Sequence, residues 1–211
     1  MTSQSPQNKA KTKGYHHGDL RSTLLEKAEE MLAEQGINGL TLRGLAERAG
    51  VSRQAPYHHF ASKQALLFAL AEQAFADLDK VFALSMEVQA MPVAERFQAF
   101  VVGYVRYATS NPEKYELMFG PITWRSDPSP ALVEKGQGSF RSYAAIVKGM
   151  QEGGDIPAGV DTLRLAQATW ATLHGLCRLK NDGIFESSDS IEEISLYAVN
   201  MMMAVLGQTP Q

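Results

Sequence analysis

The chain has 211 residues, 45% of them hydrophobic and 20% charged, with a formal net charge of −3. These proportions fit a folded globular protein and exclude disordered, fibrous and low-complexity classes. The single cysteine, Cys177, excludes a disulfide framework and multi-cysteine zinc sites. No run of about 18 apolar residues is available to span a membrane. Residues 1–14 lack the apolar core of a secretory signal, so a soluble, cytoplasmic protein is expected.

The charge is unevenly spread. Residues 1–63 hold nine Lys/Arg against six Asp/Glu, whereas the remainder holds 11 against 17. Four of the five histidines, His16, His17, His58 and His59, fall in the basic segment. A basic head on an acidic body points to a polyanionic partner for the head.

In chain order, residues 1–14 read as a disordered basic arm carrying Lys9, Lys11 and Lys13. Such an arm either follows a nucleic-acid backbone or serves only as a solubilising tail. A helical period begins at Asp19, with Leu20, Leu24, Ala28, Met31 and Leu32 on one face, and Gly36 is placed to end it. Thr41 caps a second, short helix that buries Leu42, Leu45, Ala46 and Ala49 and stops at Gly50. Ser52 is read as the cap of a third short helix over residues 52–60, and Ser62 as the cap of a fourth over 63–86. Pro92 opens a helix reaching about residue 110, and Asn111-Pro112 opens a short one through Phe119. Residues 120–130, with three prolines, read as a loop. Helical spacing resumes over 131–151 and 161–180, and Ser190-Ile191-Glu192-Glu193 is a capping-box start for the last helix. Nothing alternates with period two for long enough to suggest a sheet. The expected fold is all-α, with about nine helices.

Residues 42–60, LRGLAERAGVSRQAPYHHF, place two short helices around a tight turn at Gly50-Val51-Ser52, with Val51 and Tyr57 expected to pin them together. This is the layout of a helix-turn-helix, whose second helix enters the major groove; an ordinary αα-hairpin has the same pattern. Pro56 removes a backbone donor near the start of that second helix and disfavours helical geometry at Ala55, so the helix is expected to start late or open irregularly.

Residues 14–70 resemble the DNA-binding head of TetR-type transcriptional regulators. The resemblance rests on Gly36-Ile37, Leu40-Thr41-Leu42, Ala49-Gly50-Val51-Ser52, and Tyr57-His58-His59-Phe60 followed by Lys63. Further on, Trp170-Ala171-Thr172-Leu173-His174-Gly175 is similar to the signature of the WHG (Trp/His-Gly) group of C-terminal domains in that family. The resemblance implies a helix-turn-helix domain over 15–63 and a helical ligand-binding and dimerisation domain over 64–211. It implies a ligand-responsive repressor acting as a homodimer on a palindromic operator in double-stranded DNA. The alternative is a helical ligand-binding or scaffolding protein without DNA binding.

Within that frame Ser52, Arg53, Gln54 and Ala55 open the reading helix. Arginine pairs bidentately with guanine and glutamine with adenine. Tyr57, His58 and His59 are implied phosphate or groove contacts. Thr41 stands at a helix start that offers N–H donors to phosphate, as does Lys63. Arg43 either adds charge there or is a solvated surface residue.

In the body, the last helix is apolar around nearly its whole circumference, from Ile194 through Leu206, which requires burial on all sides. Gly175 on the preceding long helix permits close approach of another helix. A four-helix interface formed by about 161–180 and 190–206 of two subunits is expected, against a purely internal core. The resemblance implies a small-molecule effector, unidentified and apolar. Its candidate lining is Met86, Tyr104, Met118, Phe119, Trp124, Phe140, Tyr143, Trp170 and His174. His174 is either a polar anchor or a satisfied core histidine. No nucleophile elbow, phosphate loop, zinc signature or dinucleotide fingerprint is present, so no enzyme, metal or cofactor is expected.

Overall fold

The computed structural model describes residues 17–86, 91–186 and 190–206. All regular structure among them is helical. The arm over 1–14, with Lys9, Lys11 and Lys13, lies outside the described residues, as does His16.

Helix α1 (His17–Gly39) buries Leu24, Leu25, Ala28, Met31 and Leu32, and breaks where Gly36 takes φ 65°. Helix α2 (Leu42–Ala49) starts as its cap chemistry dictates: the Thr41 hydroxyl accepts from the Gly44 N–H at 3.0 Å. It ends at Gly50 in the left-handed region (φ 65°, ψ 31°), where a side chain would be strained. There the Gly50 and Val51 N–H groups donate to the Glu47 and Ala46 carbonyls at 3.2 and 3.1 Å. Arg48 clamps α2 to α1 through two hydrogen bonds to Glu34, at 2.7 and 2.6 Å. These bonds hold the Glu34 carboxyl below its ordinary value.

Helix α3 (Lys63–Met86) runs unbroken from the Ser62 cap, whose hydroxyl accepts from the Ala65 N–H at 3.1 Å. It is the spine of the molecule. Leu66, Leu67, Leu70, Ala74, Phe75, Leu78 and Phe82 are all buried along it. It packs against α4 (Val93–Ser110), α5 (Pro112–Phe119) and α7 (Pro130–Glu152). Helices α8 (Thr162–Asn181) and α9 (Ile191–Leu206) complete the body, α8 capped by the Asp161 carboxylate and α9 by the Ser190 hydroxyl. One buried apolar cluster runs continuously from Leu24 to Val199, so α1 and the body share packing.

Three expectations are corrected. The third helix over 52–60 is absent: only a 3-10 turn, Ala55–His58, forms, and Ser52 does not cap it with its side chain. Pro56 has no N–H to give the Ser52 carbonyl, and the turn closes instead with i→i−3 bonds from Ala55, Tyr57 and His59 at 3.0–3.1 Å. Tyr57 does not pin the motif. Pro56 and Phe60 are buried and Tyr57 is 51% exposed, while Val51 packs half-buried on the core. Finally, the presumed loop over 120–130 contains a one-turn helix, α6 (Pro121–Trp124), because Pro121 stands at a first helical position, where its missing N–H costs nothing.

Candidate nucleic-acid interface and ligand cleft

The head gathers the residues read as DNA contacts around the 3-10 turn. Ser52, Arg53, Gln54, Tyr57 and His58 are exposed; Ala55 and His59 are half-buried. They flank two helix starts. At α2, Thr41 satisfies the Gly44 amide and its carbonyl takes the Leu45 N–H at 2.9 Å, leaving the Leu42 and Arg43 amides without an intrahelical acceptor. At α3, Ser62 does the same for Ala65 and Leu66, leaving the amides of Lys63 and Gln64. Both ends offer N–H groups and a positive dipole to a phosphate. Lys63 is half-buried and its amine donates to the Asn38 carbonyl at 3.4 Å, which holds the cation at the mouth of α3. Arg43 is paired with Glu47 at 3.3 Å on an open surface. Arg21, passed over in the sequence, lies on α1 with its guanidinium 5.5 Å from the centre of the Phe60 ring, beside the turn.

In the body, a cleft of about 560 Å³ is walled by Phe75, Phe119, Trp124, Phe140 and Trp170, with Gly136, Gln137 and Arg141 of α7. Four of the expected ligand residues, Phe119, Trp124, Phe140 and Trp170, therefore meet there. Tyr104, Met118 and Tyr143 are fully buried core and do not line it. Met86 ends α3, but its side chain lies outside the described residues. Phe75, Gly136, Gln137 and Arg141 were missed. Phe75 is one of many apolar residues on α3 and carries no distinguishing signal. Gly136 owes its place to a contact that only the fold creates: a Cβ there would meet the Trp124 ring at 3.0 Å, so the glycine is the seat of that indole.

His174 is half-buried beside the cleft rather than in its lining, in T-shaped contact with Phe119 at 4.8 Å. Its Nδ1 lies 2.6 Å from the Tyr115 hydroxyl, which lies 2.9 Å from that of Tyr104. Burial, and then the charge of Arg178, hold His174 below its ordinary value. A neutral imidazole accepting from Tyr115 at Nδ1, with Tyr104 donating to Tyr115, is consistent with both of these contacts. No group of three His, Cys, Asp or Glu among the described residues is arranged to hold a metal ion. No helix among them is long and apolar enough to cross a membrane.

Residues 24–70 match the bacterial regulatory proteins of the tetR family, and residues 97–202, half the chain, match the tetracyclin repressor-like C-terminal domain. The chain belongs to the TetR family. The C-terminal match is coarser than the WHG grouping expected from residues 170–175. A TetR-family relative, the tetracycline repressor protein class A from transposon 1721 of Escherichia coli, is 50% identical over 56 residues, 26% of either chain. The transcriptional repressor AcnR of Corynebacterium glutamicum is 34% identical over 98 residues, 46% of this chain and 45% of that one. The chain spans about a quarter of the length of the tetracycline repressors it matches, 26% and 24%. Along most of its length it is similar to a protein of unknown function from Rhodococcus sp. RHA1. That structure is 36% identical, with a TM-score of 0.81, covering 93% of this chain and 100% of that one.

Proposed function

We propose that this TetR-family chain is a sequence-specific, DNA-binding transcriptional repressor. It acts as a homodimer on a palindromic operator and responds to a small apolar molecule held in the body. The observation that carries this reading is the head surface. Exposed Arg53, Gln54, Tyr57 and His58 stand between two helix starts with free amides, beside Lys63. Phosphate contacts from the helix starts, Lys63 and the aromatic residues set the register; Arg53 and Gln54 reach base edges. Ser52, Ala55 and His59 complete the surface, and Arg43 and Thr41 border it. The division into a head over 15–63 and a body over 64–211 belongs to this reading, with α3 as the lever between them. It requires no enzymatic activity, metal or cofactor.

Dimerisation through α8 and α9 is supported by what they leave uncovered. Tyr197 is 68% and Met201 51% exposed, and Leu163 and Leu179 are also open. Apart from the backbone of its own helix and its chain neighbours, nothing lies within 4 Å of where a Cβ on Gly175 would stand, so a second helix has room to approach. Ligand and DNA would each favour one spacing of the two heads, with reciprocal coupling.

The test is a gel shift on the DNA flanking the protein's own gene at two salt concentrations. A dimer neutralising about four phosphates per subunit gives a slope of log K against log salt of about −7. No retention of DNA at low salt favours the alternative of a binding or scaffolding protein.

A further inference from the structure

We propose that the body cleft takes a flat, apolar organic carboxylate, with the ring system against Trp124 and Trp170 and the carboxylate on Arg141. This rests on the reading of the cleft as the effector site and names the ligand's chemistry.

Three observations carry it. The first is the wall. Trp124 is held at both ends: its indole N–H donates to the Met118 carbonyl at 2.6 Å, and its six-membered ring rests against Gly136. The residue is nevertheless 37% exposed, and it lines the cleft. Because its polar group is already satisfied inward, what it presents is apolar face alone. An anchored indole left partly in water is a preformed stacking surface. Across the cleft, Trp170 and Phe140 meet edge to face at 5.7 Å, a fixed arrangement of their own.

The second observation is volume. About 560 Å³ is too large for a single ring and falls within the range of pre-formed small-molecule sites. Aromatic walls favour fused rings over a flexible chain, which loses more rotamer freedom on binding.

The third is charge. Gln137 and Arg141 are the polar side chains of the lining, and none of the lining residues is acidic. They stand four residues apart on α7, one turn of helix, and so face the same way. The Arg141 guanidinium is paired with Glu134, on the same helix and itself exposed. That partner is replaceable: an exposed pair is worth little, and a ligand carboxylate beside an apolar wall makes a charge-assisted contact with the guanidinium with less competing water. Gln137 offers an amide to the second carboxylate oxygen.

The chain supplies its own reporter. It has two tryptophans, and both line this cleft. Binding of 2-naphthoate and of its neutral isostere 2-naphthamide is read by tryptophan fluorescence on the full chain. The expected result is naphthoate bound roughly tenfold more tightly than the amide. Arg141→Ala should abolish that preference by weakening naphthoate while leaving naphthamide unchanged. Glu134→Gln, which removes the competing carboxylate, should tighten naphthoate a few-fold. Equal affinity for the two probes, a naphthoate affinity indifferent to Arg141→Ala, or no quenching by either probe at millimolar concentration overturns the proposal. The wild-type gel shift, run in parallel, separates the two readings. A protein that selects naphthoate but never retains DNA keeps the cleft chemistry and loses the repressor; the converse loses only the carboxylate.

Discussion

Lys114 on α5 reaches Glu29 on α1, Nζ to Oε2 at 2.9 Å, and so ties the head to the body by charge as well as by packing. Asp77 of α3 lies 3.6 Å from the same amine, so three helices converge on one cation. Both side chains of the closer pair are about four-fifths buried, at 21% and 22% exposure. This places it between a surface pair, worth little, and a buried one whose rupture is costly. Lys114→Met should therefore lower stability by about 1–2 kcal/mol. Adding Glu29→Gln should restore part of it, because the stranded carboxylate is removed. Urea unfolding of the four proteins of the cycle measures the coupling; strictly additive losses would show that the two residues do not interact.

His174 gives the fold a pH dependence of defined sign. Its folded value is lowered by burial first and by Arg178 second, against an ordinary value of 6.5. Below that pH the unfolded chain takes up a proton that the folded imidazole refuses. Stability therefore falls as the pH drops through about 6.5 and levels once the folded group also protonates. His174→Asn keeps an acceptor for the Tyr115 hydroxyl but cannot titrate. Its stability should decline less between pH 7 and pH 5 than that of the wild type. Parallel declines in the two proteins would assign the acid sensitivity elsewhere.

Cys177 is completely buried, and burial pushes its thiol up to about 12. At pH 8 almost none of it is thiolate, the reactive form. A disulfide-forming thiol reagent should leave the native protein unlabelled and react fully in denaturant. Rapid labelling without denaturant would show instead that the thiol is accessible and ionised in the folded protein.

The success of the sequence reading follows how local the physics is. The caps Thr41, Ser62 and Ser190 and the stop at Gly50 lie where they were expected, since each depends on a hydrogen bond or dihedral within a few residues. Non-local features were illegible. Pro56 signalled trouble in the third helix, but its consequence, Tyr57 turned outward and Phe60 inward, depends on how the turn packs against the head. Helix α6 was hidden among prolines. The aromatic candidates were all apolar at helical spacing. What separates Trp170 in the cleft from Tyr143 in the core is the arrangement of α7 and α8 across α3, which no spacing records.

Two head substitutions separate positioning from reading. Lys63→Ala should weaken binding to every sequence and flatten the salt slope of the dimer by about two units, because it removes one phosphate contact from each subunit. Gln54→Ala should relax preference at one base position, at about 1–3 kcal/mol. Fluorescence anisotropy on a set of single-base operator variants distinguishes them. An unchanged preference in Gln54→Ala would move the base-reading surface off the start of the 3-10 turn.

The outer face of α9 supplies the last prediction. Ile191, Ser195 and Val199 point inward, leaving Tyr197 and Met201 on the open side, where a monomer gains nothing from burying them. Introducing a charge there should cost the monomer little and an apolar dimer interface several kcal/mol, since a carboxylate would be desolvated without a partner. Tyr197→Asp should therefore sediment as a monomer at micromolar concentration while melting as a folded helical protein. It should lose affinity for a two-half-site operator far more than for a single half-site. A wild-type chain that already sediments as a monomer would remove the basis for a palindromic operator, and a variant that remains dimeric would shift the interface away from Tyr197.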